Sequence, residues 1–174
     1  MSELSILPDI LEHGLSLVFC GTAPSKRSAA AGAYYAHPGN RFWSALHEAG
    51  LTPRRLAPDE FRLLPSFGMG LTDLAKRHAG NDDELPRDAF DATALIAKIE
   101  HWQPRILAFT SKAAARGALG KDCGYGWCEH RIGNTRLFVL PSPSGQARGH
   151  WDIAPWRLLA AQRGFSGGAA SGNL

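Results

Sequence analysis

Short stretches of the chain bring together residue types that do chemistry. Gly21-Thr22-Ala23-Pro24-Ser25 follows the apolar run 15–19 and has the look of a phosphate-binding turn, without the lysine or the glycine count of the usual phosphate loops. In YYAHPGNRFW (34–43), Tyr35 either presents a flat π face to a planar ligand from its loop or joins the core, where Phe42 and Trp43 are expected. His37 before proline reads as a turn residue rather than a base. LPSPSGQARGHW (140–151) carries prolines that stiffen it, hydroxyls at Ser142 and Ser144, Gly145 for close approach and Arg148 for charge. Such a loop holds phosphate, or is an ordinary surface turn. Lys112, after Ser111 at a helix start, is a further phosphate-reaching position or a solvated lysine.

The elements that must position these groups alternate in type. A buried strand over 15–20 is broken by Gly21 and Pro24, and Asn40 is placed to cap a helix over 41–49 that Gly50 stops. A short helix is expected over 59–64 and a glycine-punctuated loop over 67–84. Phe90, Leu95, Ile96 and Ile99 share one face of a helix over 88–101, which ends before Pro104. A strand over 105–109, a helix over 111–119, a strand ending at 137–140 and a helix over 156–162 complete the pattern. Strands alternating with helices specify an α/β fold with a mostly parallel sheet covered on both faces, in which ligands bind beyond the carboxyl ends of the strands. The loops 21–40 and 141–150 lie at such ends. One domain is expected over 1–163, followed by a Gly/Ser/Ala-rich tail (164–174) expected to be disordered.

Composition narrows the class without choosing a function. With 174 residues, 44% of them hydrophobic and 20% charged, the chain is long enough for one full core. A net charge of +3 suits a modest affinity for polyanions and settles nothing alone. The 3 cysteines, at 20, 123 and 128, form no paired framework, which fits a reducing cytoplasm. Cys123 and Cys128 resemble half of a metal site, but no second pair completes four ligands, so no metal is expected. Nothing approaches the ~20 apolar residues of a membrane span, and a soluble, cytoplasmic monomer is expected.

Taken in order, the strand followed by GTAPS, then YAHPGNRFW, GLTDLAKR and LPSPSGQAR resembles the uracil-DNA glycosylase superfamily. The likeness is to its mismatch-specific uracil/thymine branch, whose pattern is G-I-N-P-G, F-x-HP-x-NRFW, G-x-T-x-L and NPSG, and it covers roughly residues 15–160. The resemblance implies a three-layer α/β/α sandwich around a short, mainly parallel sheet. It implies a monofunctional enzyme that flips a base out of DNA and hydrolyses its N-glycosidic bond, leaving an abasic site in base excision repair, with no cofactor. Its partner would be DNA containing uracil or an abasic site.

Carried over residue by residue, the resemblance makes the amides around Thr22, Ala23 and Tyr35, with Gly21, a cradle for the uracil edge and Tyr35 the stacking aromatic. Ser28 falls near the 5-carbon of the base, where it would exclude thymine. Ser142, Ser144 and Gly145 would contact phosphate and Gln146 would be the wedge, with Arg148 close to the duplex; Lys112, from its own place at a helix start, joins them as an expected DNA-binding residue. The first motif departs from the family pattern, because Ala23 stands where the family has a water-positioning asparagine. Asp73, in GLTDLAKR, is the residue expected to replace it as the catalytic group, unless it or Thr72 merely caps a short helix over 74–77. Two competing functions follow: a lesion- or abasic-site-binding protein that has lost catalysis, and a small-molecule α/β protein unrelated to DNA. Within the enzyme class, hypoxanthine or xanthine is an alternative substrate base.

Overall fold

The computed structural model describes residues 5–145, 149 and 151–171. In chain order the elements are β1 (Leu17–Gly21), α1 (Lys26–Ala31), α2 (Phe42–Glu48), a 3-10 helix (Pro58–Phe67), β2 (Met69–Asp73), α3 (Ala92–Trp102), β3 (Ile106–Phe109), α4 (Lys112–Leu119), β4 (Gly126–Ile132), β5 (Thr135–Val139) and α5 (Ala154–Ser171). The strands form one sheet in the order β2-β1-β3-β5-β4. All pairings are parallel except that of β4 with β5.

Alternation along β1 sorts its side chains between two cores. Leu17 and Phe19 face one layer with Phe42, Trp43 and Leu46 of α2 and Trp156 and Leu159 of α5. Val18 and Cys20 face the other, with Leu95 and Ile99 of α3 and Ala114, Ala115 and Ala118 of α4. Every residue of β1, β2 and β3 is buried, as parallel strands covered on both faces require. The fold is therefore the expected three-layer α/β/α sandwich.

Several local expectations are corrected. The segment expected to be a loop over 67–84 contains β2, which pairs in register with β1 from Leu17 opposite Met69 to Gly21 opposite Asp73. Burial between β1 and the N-terminal segment decides the conformation there, despite Gly68 and Gly70. No helix follows over 74–77, so Asp73 is a strand-end residue and not a helix cap. The stretch 126–132, given no element from its sequence, is β4. Its exposed Glu129, His130 and Arg131 disguise it, and charges of this kind are common on edge strands. Helix α2 starts one residue later than expected, with Asn40 Oδ1 accepting from the Phe42 amide at 2.9 Å.

The outer edge of β2 is covered by the N-terminal segment, where Ile10 and Leu71 exchange backbone hydrogen bonds of 2.9 and 3.0 Å. This cover carries Asp9 to the side of the sheet where β2 ends.

Candidate active site

Because β1, β2, β3 and β5 run parallel, their carboxyl ends open on one edge of the sheet, and the segments leaving them meet around a cleft of about 500 Å³. Gly21 to Ser25 leave β1, Asp73 ends β2, Thr110 and Ser111 leave β3, and Ser142 to Ser144 follow β5. All of these line the cleft, together with Ser28, Tyr34, Tyr35, Asn40 and the strip 80–83. Of the residues expected to act, Gly21, Thr22, Ala23, Ser28, Tyr35, Asp73, Ser142 and Ser144 are thus brought together. Lys112 and Gly145 stand outside the lining, and Gln146 and Arg148 lie outside the described residues.

Asp73 forms the floor. The residue is 4% exposed, and its Oδ2 is buried with no hydrogen-bond partner among the described residues. Burial pushes its carboxyl up to about 6; Lys76 and Lys98 pull it down, and Asp9 adds to the rise. At neutral pH the group is therefore an ionised carboxylate aimed into the cleft. Asp9 holds the surrounding charges in place: it pairs with Lys76 at 2.9 Å and Lys98 at 2.8 Å and accepts from Thr72 Oγ1 at 2.7 Å. Burial works against the Asp9 charge, but the two lysines outweigh it and hold its carboxyl below the usual range.

Opposite effects are expected from the two sides of this network. Asp9→Asn removes a negative neighbour and lowers the Asp73 value, whereas Lys76→Met removes a positive one and raises it above that of the wild type. Carboxyl 13C NMR titration of the Asp73 side chain checks both signs.

Gly21 marks the point where the polar groups converge. A Cβ there would stand 3.1 Å from Asp73 Oδ1, 3.2 Å from the Tyr35 hydroxyl and 3.3 Å from Thr110 Oγ1. Beyond Gly21, the carbonyls of Gly21, Thr22 and Pro24 accept from the amides of Leu74, Ala75 and Gly80. No described hydrogen bond takes up the amides of Thr22 or Ala23. The turn thus uses its acceptors for folding and keeps donors for a ligand.

Tyr35 is one of two non-glycine residues described with positive φ, at 52°, a conformation that persists only where its surroundings enforce it. Its ring stacks on Phe42 with centroids 4.0 Å apart and planes 18° from parallel. Its hydroxyl lies 3.3 Å from Thr110 Oγ1, and the next amide, of Ala36, donates to Ser28 Oγ at 2.9 Å. Ser28 itself is buried, accepts from Ser25 Oγ at 3.1 Å, and so anchors the aromatic segment as well as lining the cleft. Phe42 and Trp43 are core residues, as expected, and Tyr34 packs with them while also reaching the cleft.

The far wall is built by two loops docked on each other. The Arg41 amide donates to the Pro143 carbonyl at 2.7 Å, and a Cβ on Gly145 would stand 3.2 Å from the Gly39 carbonyl oxygen. Gly145 therefore brings the loops together rather than facing the cleft. Within the second loop, Ser142 Oγ accepts from the Ser144 amide at 3.2 Å. Thr110, Asn40 and Asn81–Asp83 were missed from the sequence. For Thr110 a signal existed, since it is the first residue past the carboxyl end of the strand ILAF.

Cys123 and Cys128 gather no metal set: among the described residues no group of three or more His, Cys, Asp or Glu is placed to hold an ion. No described helix is long and apolar enough to cross a membrane.

A carboxylate, free amides and an aromatic ring around one cleft at the carboxyl edge of a parallel sheet define a site for a planar, hydrogen-bonding ligand. Residues 8–163 match the model of the Uracil DNA glycosylase superfamily. The chain belongs to that superfamily and is, at that level, a DNA glycosylase. The fold is also that of a solution NMR structure from Methanosarcina acetivorans, named as a candidate uracil DNA glycosylase. It is 21% identical, with a TM-score of 0.62 over 90% of this chain and 96% of that one.

Proposed function

We propose that the chain is a monofunctional uracil-DNA glycosylase of the mismatch-specific kind, in which Asp73 does the work of the missing motif asparagine. The observation that carries this reading is the unpartnered, buried Asp73 carboxylate on the floor of a cleft whose rim keeps amide donors free. An extruded uracil would stack on Tyr35 and place its oxygens on the Thr22 and Ala23 amides. As the C1′–N1 bond breaks, its electron pair leaves with the uracil, where the amides stabilise the developing charge. The same step leaves a sugar cation, which the Asp73 carboxylate stabilises. Asp73 also orients a water whose oxygen joins C1′ and accepts the proton that water gives up. The lysine of the matched motifs, Lys76, is paired with Asp9 at 2.9 Å and does not line the cleft, so no lysine nucleophile for strand cleavage is assigned. Ser142 and Ser144 would contact the flanking phosphates; Gln146 would fill the gap left by the base, with Arg148 close to the duplex.

A second reading concerns the base. A cleft of about 500 Å³ leaves room beyond a single pyrimidine ring, which favours hypoxanthine or xanthine as the alternative. Base release from oligonucleotides carrying U, T, hypoxanthine or xanthine opposite each normal base tests both. Uracil released fastest supports the first reading, a purine released fastest replaces it with the second, and no release of any base overturns both. Gly21→Ala is expected to slow base release on the order of tenfold to a hundredfold. The new methyl group presses on Asp73, Tyr35 and Thr110 together; single-turnover rates with the intact enzyme check this.

A further inference from the structure

Antiparallel pairing sets Gly126, the first residue of β4, opposite Val139, the last of β5. The residue just before β4 therefore stands at the carboxyl edge of the sheet, beside the loop that lines the cleft. That residue is Tyr125, whose side chain is left largely in solvent at 46% exposure. Lys112 places its ammonium 4.3 Å from the centre of the Tyr125 ring. Lys112 follows Ser111, which lines the cleft and accepts from the Ala114 amide at 3.0 Å to cap α4, so the cleft wall runs directly into the pair.

Space and charge around the ring both suit a nucleic-acid strand. A Cβ on either neighbour, Gly124 or Gly126, would meet nothing within 4 Å, so a flat group can approach. Asp122, the carboxylate of this loop, is bonded to Arg116 at 2.7 Å. Lys112 has no carboxylate partner among the described residues, and Lys121 adds a second cation to the same loop.

We propose that Tyr125 and Lys112 receive the nucleotide next to the one held in the cleft, Tyr125 stacking on its base and Lys112 contacting its phosphate. This rests on the reading of the cleft as a DNA site. An aromatic platform beside a cation suits single-stranded or splayed nucleotides, because every base has a π face and every linkage a charge.

Fluorescence anisotropy with duplexes containing a stable abasic site tests it without depending on which base the enzyme removes. Tyr125→Ala is expected to weaken binding about tenfold, the scale of one lost base stack, and Tyr125→Phe to restore it. Lys112→Ala is expected to flatten the dependence of log K on log salt by about one unit, which Tyr125→Ala leaves unchanged. Duplexes shortened from the 5′ or the 3′ side should lose the Tyr125 effect on one side only, which identifies the neighbour that lands there. Wild type that binds, with Tyr125→Ala within about twofold of it on every duplex, overturns the landing alone. Wild type that binds no abasic DNA at low salt overturns the reading of the cleft as well.

Discussion

Asp73→Asn is expected to slow base release by about 10²–10⁴, the usual worth of a positioned acid or base, and at the same time to make the protein more stable. The second effect separates a catalytic carboxylate from a structural one. Burial lifts the Asp73 carboxyl from 3.8 to about 6, a shift of roughly 2 units, and at 1.36 kcal/mol per unit holding it ionised costs the fold on the order of 3 kcal/mol. Asparagine removes the charge but leaves a buried amide to satisfy, so a net gain of about 1–3 kcal/mol is expected at neutral pH. The sign with pH follows from the raised value. Between about pH 4 and 6 folded wild type binds more protons than unfolded, so its stability rises as pH falls through this window. The gap between variant and wild type is therefore full at pH 7, narrows below 6 and closes near 4. Urea unfolding at several pH values, beside single-turnover rates at pH 7, measures both effects.

The second large effect falls on the fold. Gly70→Ala is expected to destabilise the protein by about 3 kcal/mol or more, at the upper end for overpacking. A Cβ at residue 70 would stand 2.3 Å from the Ile10 carbonyl oxygen and 2.7 Å from Leu15 Cδ1. The first of these atoms is backbone, held by the paired hydrogen bonds between Ile10 and Leu71, so relief means lifting the N-terminal cover from β2. Lifting it also carries Asp9 away from Lys76 and Lys98, and the ionisation of Asp73 changes with it. A fall in the urea midpoint together with a lowered Asp73 titration is the expected pair of results.

What was legible in the sequence follows from burial. The strands around Leu17–Phe19 and Ile106–Phe109 are continuous apolar runs, and Ser111 and Gly120 mark the two ends of α4, so the α/β alternation could be read directly. β2 was hidden because glycine breaks MGLTD and its last residues are polar. Thr72 and Asp73 are both buried, and Thr72 bonds Asp9 of the N-terminal segment, a partner distant in sequence. β4 was hidden for the opposite reason, as an exposed edge strand rich in charge. At the site, the segments carried on strand ends were legible because parallel sheets bind ligands there. The strained backbone of Tyr35 and the Ser28 contact that fixes its segment depend on tertiary packing. Asp73 was reached through the resemblance of GLTDLAKR to the family pattern. What the fold adds is its placement opposite Gly21 and the charge network of Asp9, Lys76 and Lys98 around it.

The most direct test of Asp73 as the catalytic carboxylate is the pH dependence of single-turnover uracil release by wild type and Asp73→Asn. Wild-type activity should be full at neutral pH and fall away below about 6 as the carboxylate takes up its proton, and the variant should show a rate lower by orders of magnitude with no such step. Equal rates for the two proteins, or the same acid step in both, would remove Asp73 from the mechanism.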